Sequence, residues 1–115
     1  MKLLIRLVLY ALAVLITAHL LPGVSVESFL IAVIVAGVLT LLNVLLKPLL
    51  VILTIPITVV TLGLFLLVIN ALIIMLTDWL IGGFDVTNFW WALLFSLILS
   101  LINGIFMKLS GEEKQ

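Results

Sequence analysis

The sequence predicts an all-α integral membrane protein: four transmembrane helices forming two tandem helical hairpins, with a proline-broken apolar segment between them. Three observations lead there. The residues are 67% hydrophobic and 9% charged, with a mean hydropathy of +1.63, whereas soluble domains are about 45–50% apolar and about 25% charged. The few charges cluster at Lys2/Arg6, Glu27, Lys47, Asp78/Asp85 and Lys108 to Lys114, and the apolar runs between clusters have the ~20-residue length of a membrane span. Finally, the chain matches itself when shifted by 60 residues, with 14 identities across positions 4–43. Six of these are Leu on Leu and count for little in so apolar a chain. Gly23 on Gly83, Phe29 on Phe89, Thr17 on Thr77 and Asn43 on Asn103 count for more. Repeats built from hydrophobic spans are a recurring plan of membrane proteins.

Each span is expected to be a helix, because within lipid only a helix satisfies its backbone groups internally. Span 1 covers about 3–21 and ends at the turn Pro22-Gly23-Val24-Ser25. Span 2 covers about 26–46; Ser25 can cap it, with Val24 packing on Phe29 as a hydrophobic staple. Span 3 covers about 63–80. Span 4 covers about 86–107, with Asp85 as cap and Phe84 on Phe89 repeating the device. Repeat 1 is 4–43 and repeat 2 is 64–103, in a single membrane domain over 1–115. Lys2 and Arg6 before an apolar run also suit a secretory signal, but no A-x-A-like cleavage site surrounds Ala18-His19-Leu20 and the segment recurs at Leu64–Ile81, so a span is expected.

The basic residues precede span 1 and follow spans 2 and 4, while the other two loops carry only Glu27, Asp78 and Asp85. The positive-inside rule then puts both termini and Lys47 in the cytoplasm, and two helices per copy give both repeats the same orientation. Trp79, Trp90 and Trp91 fall at the outer interface, with His19 at a similar depth. Between the repeats, 48–62 is almost wholly apolar and too short to cross and return as full helices. Pro48 suits a first helical position and Pro56 breaks what precedes it. The segment is either a re-entrant dip, a half-helix over 48–55 returning over 57–62, or an interfacial helix or kinked extension of span 3.

Polar residues inside the spans form stripes. Span 2 carries Ala32, Ala36, Thr40 and Asn43; span 4 carries Ala92, Ser96, Ser100 and Asn103. Both read i, i+4, i+8, i+11, one helix face. The plain expectation is a seam packing span 2 on span 4, with small residues in close contact and hydroxyls and amides bonding across it. The sharper one is that Asn43 and Asn103, with Asn70, line a polar path. Lys47 is a snorkelling anchor or a contact for anionic lipid headgroups. No pair of carboxylates shares a span, and neither a His pair nor a glycine-rich phosphate loop occurs, so no catalytic, cofactor-binding or metal site is expected. A net charge of zero offers no reason for a nucleic-acid partner, and no cysteine means no thiol chemistry.

Asn43-Val-Leu-Leu-Lys47-Pro48, Leu53-Thr54-Ile55-Pro56, Thr61-Leu62-Gly63-Leu64-Phe65, Asn70-Ala71 and Gly83-Phe84 stand in that order. Taken together they resemble the phage-holin-like small bacterial membrane proteins, the mycobacterial-type four-span holin superfamily. The resemblance implies a four-span inner-membrane protein and supplies no catalytic residue; Asn43, Lys47, Pro48, Pro56, Gly63 and Asn70 are motif positions without a role. Three functions follow as expectations: a non-catalytic holin-like protein that associates with itself to permeabilise or remodel the bilayer; a non-lytic envelope or stress-associated protein that binds lipid or a membrane partner; and a small transporter or channel. No small-molecule substrate is identifiable.

Overall fold

The computed structural model describes residues 2–61 and 63–111. Leu62, the last residue of the predicted broken segment, and Lys114 lie outside the described residues. The elements, in order, are α1 (Lys2–Leu20), β1 (Val24–Val26), α2 (Phe29–Leu53), α3 (Ile55–Val60), α4 (Phe65–Leu80), β2 (Phe84–Val86) and α5 (Phe89–Ser110). Helices α1, α2 and α5 are long and apolar enough to cross a membrane, and α4 is a shorter apolar helix of 16 residues.

Helix α1 packs on α2 and on α5, and α4 packs on the same two helices. The four long elements therefore form a ring in which α2 and α5 stand across from one another. The expected direct seam between spans 2 and 4 is replaced by two stripes facing the centre of this ring. Ala32, Val35, Ala36 and Leu39 of α2 are buried there, as are Ala92, Phe95, Ser96 and Leu99 of α5. Ala11, Val14 and Thr17 of α1 and Ala71, Ile74 and Thr77 of α4 fill the rest. Thr17 and Thr77 donate to the carbonyls of Ala13 and Ile73 at 2.7 and 2.8 Å, so their buried hydroxyls are satisfied within their own helices.

The two hairpin tips form a structure that the all-helical expectation lacks. β1 and β2 pair antiparallel, with Val24 opposite Val86, Ser25 opposite Asp85 and Val26 opposite Phe84. The ribbon continues at both ends through Glu27 N–H to Gly83 O and Thr87 N–H to Gly23 O, each 2.9 Å. The two donors, Glu27 and Thr87, are 60 residues apart in sequence, and so are the two acceptors, Gly23 and Gly83. The Thr87 hydroxyl also donates to Gly23 O at 2.8 Å, and Asp78 Oδ2 accepts from Val86 N–H at 3.1 Å. Short β-branched segments leaving an apolar helix carry unpaired backbone groups, and the neighbouring tip is where they find partners.

The ribbon moves the helix caps. Ser25 and Asp85 sit in the strands, so they do not cap α2 and α5 as expected. The caps are Ser28, whose Oγ accepts from Ile31 N–H at 3.3 Å, and Asn88, whose Oδ1 accepts from Trp91 N–H at 3.1 Å. Helix α2 accordingly starts at Phe29 rather than Val26; Phe84 packs its ring on Phe95, and Phe89 its ring on Trp90. Asn88→Ala is expected to cost about 1 kcal/mol of stability, read as a lower midpoint in reversible SDS titration of the detergent-solubilised protein. A midpoint equal to wild type would show that the cap is dispensable.

Between the hairpins, α2 runs straight through Pro48 to Leu53, so Pro48 is an interior residue and not a helix start. Losing one backbone bond costs less there than ending a helix and exposing several unpaired groups in an apolar setting. Pro56 occupies the first turn of α3, where its missing N–H is no loss. α3 has no buried residue and packs on α2 and α4. It connects the two hairpins at the end opposite the ribbon. Gly63, with φ +88°, turns the chain, and the Thr61 hydroxyl accepts from Phe65 N–H at 3.2 Å to start α4.

Candidate functional site

The polar side chains that the sequence places inside the spans gather in the half of the bundle away from the ribbon. A cavity of about 70 Å³ lies among all four long elements. Asn43 and Lys47 reach it from α2, Asn70 from α4, and Ser96 and Ser100 from α5. Tyr10 lines it from α1, and its hydroxyl is within hydrogen-bonding reach of the Asn43 side chain. Such a volume holds a few waters, and amides and hydroxyls are groups that would bind them.

A second, larger cleft of about 490 Å³ opens beside it between α1, α2 and α5. Thr40, Asn43 and Asn103 lie in its wall together with Arg6, Tyr10 and Gly37. Thr40 Oγ1 donates to Ala36 O at 2.8 Å. Asn103 Oδ1 is enclosed and has no hydrogen-bond partner. Tyr10 and Asn43 belong to both spaces. Of the predicted stripes, Ala32, Ala36 and Ala92 reach neither; they are fully buried in the core. Pro48 and Pro56 line neither and act on the backbone alone.

Tyr10 and Arg6 were missed by the stripe argument because they lie on span 1, where no polar periodicity draws attention. A signal existed: Tyr10 is the counterpart of Asn70 at the 60-residue shift, and Arg6 lies one helical turn before it. Asp78 was missed for another reason. It was expected as a loop charge, yet it closes the ribbon edge through Val86.

The charges are sorted by end. The ribbon end carries Glu27, Asp78 and Asp85, with Trp79 and Trp90 80% and 71% exposed. The far end carries Lys2, Arg6, Lys47 and Lys108. Among the described residues no three of His, Cys, Asp and Glu come together as metal ligands. What the cavities offer is amide, hydroxyl, phenol and cationic donors, a chemistry of hydrogen bonding to water or to an anion.

Apolar helices in a ring, lipid-length spans and a polar interior at one end define a small helical membrane protein. Comparison with known proteins gives the family. The model of the mycobacterial 4 TMS phage holin, superfamily IV, matches residues 1–105, and the chain belongs to that family. It is 40% identical over 110 residues to the uncharacterized membrane protein YvlD of Bacillus subtilis (strain 168), covering 89% of this chain and 92% of that protein. It is 41% identical over 85 residues to the uncharacterized protein SCO3922 of Streptomyces coelicolor (strain ATCC BAA-471 / A3(2) / M145), covering 70% of this chain and 68% of that one. No solved structure matches the chain significantly.

Proposed function

We propose that this chain is a non-catalytic protein of the bacterial cytoplasmic membrane that crosses it four times, keeps both termini in the cytoplasm and associates with itself to permeabilise or remodel the bilayer. The basic residues at the end opposite the ribbon support the orientation. Pairing of the two hairpin tips supports two copies pointing the same way, since both tips must then lie at one membrane face. The exposed apolar α3 suits the inner interface rather than a re-entrant dip.

Association is carried by one observation. Ser100, at the rim of the small cavity, and Gly104 lie one turn apart on α5, both exposed, and a side chain added at Gly104 would meet nothing within 4 Å. Small residues four apart on a lipid-facing helix let a second helix approach closely. Permeation then belongs to the assembly and not to one subunit. Val14, Thr17, Ile74 and Thr77 fill the bundle between the small cavity and the ribbon. This packing favours the holin-like reading over a single-subunit transporter or channel.

Gly104→Leu is expected to weaken self-association by about 1 kcal/mol, about fivefold, in cross-linking of membranes at graded expression levels. The same variant should slow the loss of membrane potential that follows induction of the wild type, followed with a potential-sensitive dye. Wild-type induction that leaves the potential intact would sink permeabilisation, and an unchanged cross-linking curve for Gly104→Leu would sink the α5 face. A reporter fused after Gln115 that is active only outside the cell would overturn the orientation.

A further inference from the structure

The cleft between α1, α2 and α5 has features that self-association does not use. Its wall is amphipathic. Leu3, Leu7, Val44 and Met107 give it apolar surface, while Arg6, Asn43 and Asn103 bring a guanidinium and two amides. Its volume of about 490 Å³ lies in the range of small-molecule sites. It opens sideways, since Leu3 and Val44 at its rim are 75% and 64% exposed. Its cation sits at the end of the bundle where the basic residues gather, one helical turn deeper than Lys2.

The internal repeat makes the cleft informative. Within the repeat, two of its residues have no like counterpart 60 positions on: Gly37 corresponds to Leu97 and Arg6 to Leu66; just outside it, Leu3 and Val44 fall on Gly63 and Gly104. The other polar members have polar counterparts, Thr40 in Ser100, Asn43 in Asn103 and Tyr10 in Asn70. The first copy therefore combines a missing side chain with an added charge, on the same cleft. A Cβ at Gly37 would meet nothing within 4 Å, so the glycine is not needed for helix packing. Its effect is to leave room.

We propose that this cleft holds one anionic phospholipid with a hydroxylated headgroup from the inner leaflet. The phosphate pairs with the Arg6 guanidinium, whose five donors serve more than one acceptor. The amides of Asn43 and Asn103 complete its shell, and the enclosed Oδ1 of Asn103 accepts from a headgroup hydroxyl. The upper part of an acyl chain lies along Leu7, Gly37 and Val44. Charge complementarity and lateral access select a lipid over a soluble anion, and the apolar wall gives the chain a place that a snorkelling arginine alone would not need.

The test is lipid retention by the full-length protein, purified in mild detergent and incubated with mixed micelles of phosphatidylglycerol and phosphatidylethanolamine, then read by native mass spectrometry. Wild type should retain one phosphatidylglycerol per chain. Arg6→Gln should lower retention about tenfold, the loss of one charge-assisted hydrogen bond, and Gly37→Leu should lower it about as much by filling the space of the acyl chain. Lys108→Gln, an exposed basic control, and Gly104→Leu, the association variant, should retain lipid like wild type. Thermal unfolding of each variant checks that the fold is intact, and Gly37→Leu, which adds only apolar bulk in open space, keeps the test decisive should Arg6→Gln unfold. Equal retention by wild type and Gly37→Leu would overturn the site. So would equal capture of the two lipids, an equal loss in Lys108→Gln, or cross-linking of Gly37→Cys to itself between two copies, which would put a second chain in the cleft.

Discussion

Phe84→Ala is expected to lower stability by about 3–5 kcal/mol, the largest effect of any single substitution considered. Phe84 is fully buried although it belongs to a three-residue strand at a hairpin tip. Its ring meets Phe95 of α5 at a centroid distance of 5.6 Å and an interplanar angle of 56°. Its backbone sits opposite Val26 in the ribbon. One side chain thus joins the second hairpin's own helix to the pairing between hairpins. Truncation leaves a cavity that rigid neighbours cannot fill, and it removes an aromatic pair worth about 0.5–1.5 kcal/mol beyond its area. The measurement is reversible SDS titration from detergent micelles, following tryptophan emission. Trp79→Ala, at an 80% exposed site, is the matched control and should shift little. A Phe84→Ala loss below about 1 kcal/mol would show that the ribbon is peripheral to stability.

Gly23→Ala is expected to be the second largest, at about 1–3 kcal/mol for one added carbon. The Trp91 ring lies directly over Gly23, and a Cβ built there would overlap the indole carbons. The counterpart contact is looser. At Gly83 the added Cβ would lie 3.2 Å from Ile31 and Glu27, although φ of +94° makes any side chain strained there. Each glycine therefore sits beneath the third residue of the opposite hairpin's second helix, Trp91 in one case and Ile31 in the other. A double-mutant cycle isolates the cause. In a Trp91→Ala background the Gly23→Ala penalty should vanish. Should it persist undiminished, the clash with Trp91 is not its source. Gly23 also accepts two hydrogen bonds from Thr87, so a shifted turn would loosen the ribbon as well.

These two substitutions act at a place the sequence marks only weakly. Gly23 and Gly83 stand out as matched glycines, but nothing in their neighbours says that the two tips pair with each other. Three-residue strands are too short to show an alternating pattern, and Val24-Ser25-Val26 reads as well as a turn or a helix start. That ambiguity put the caps at Ser25 and Asp85. The true caps, Ser28 and Asn88, carry equally suitable side chains, and only the backbone demands of the ribbon choose between them. Pro48 misled for a similar reason: a proline bounds a helix in water more reliably than it does in a long apolar run.

By itself the sequence determined the apolar helical class, the approximate helix positions and the separation of acidic from basic ends. These depend on composition and on contacts among near neighbours, which a linear reading contains. It also singled out Asn43, Asn70, Asn103, Ser96 and Ser100 as polar groups inside apolar helices. Only the tertiary structure decided that four of them share one small cavity with Tyr10 and Lys47, and that Asn103 faces a separate cleft beside Arg6. Periodicity says which residues share a face of one helix. It says nothing about which face of another helix stands opposite, because that depends on how the ring closes and on the ribbon that holds the two hairpins together.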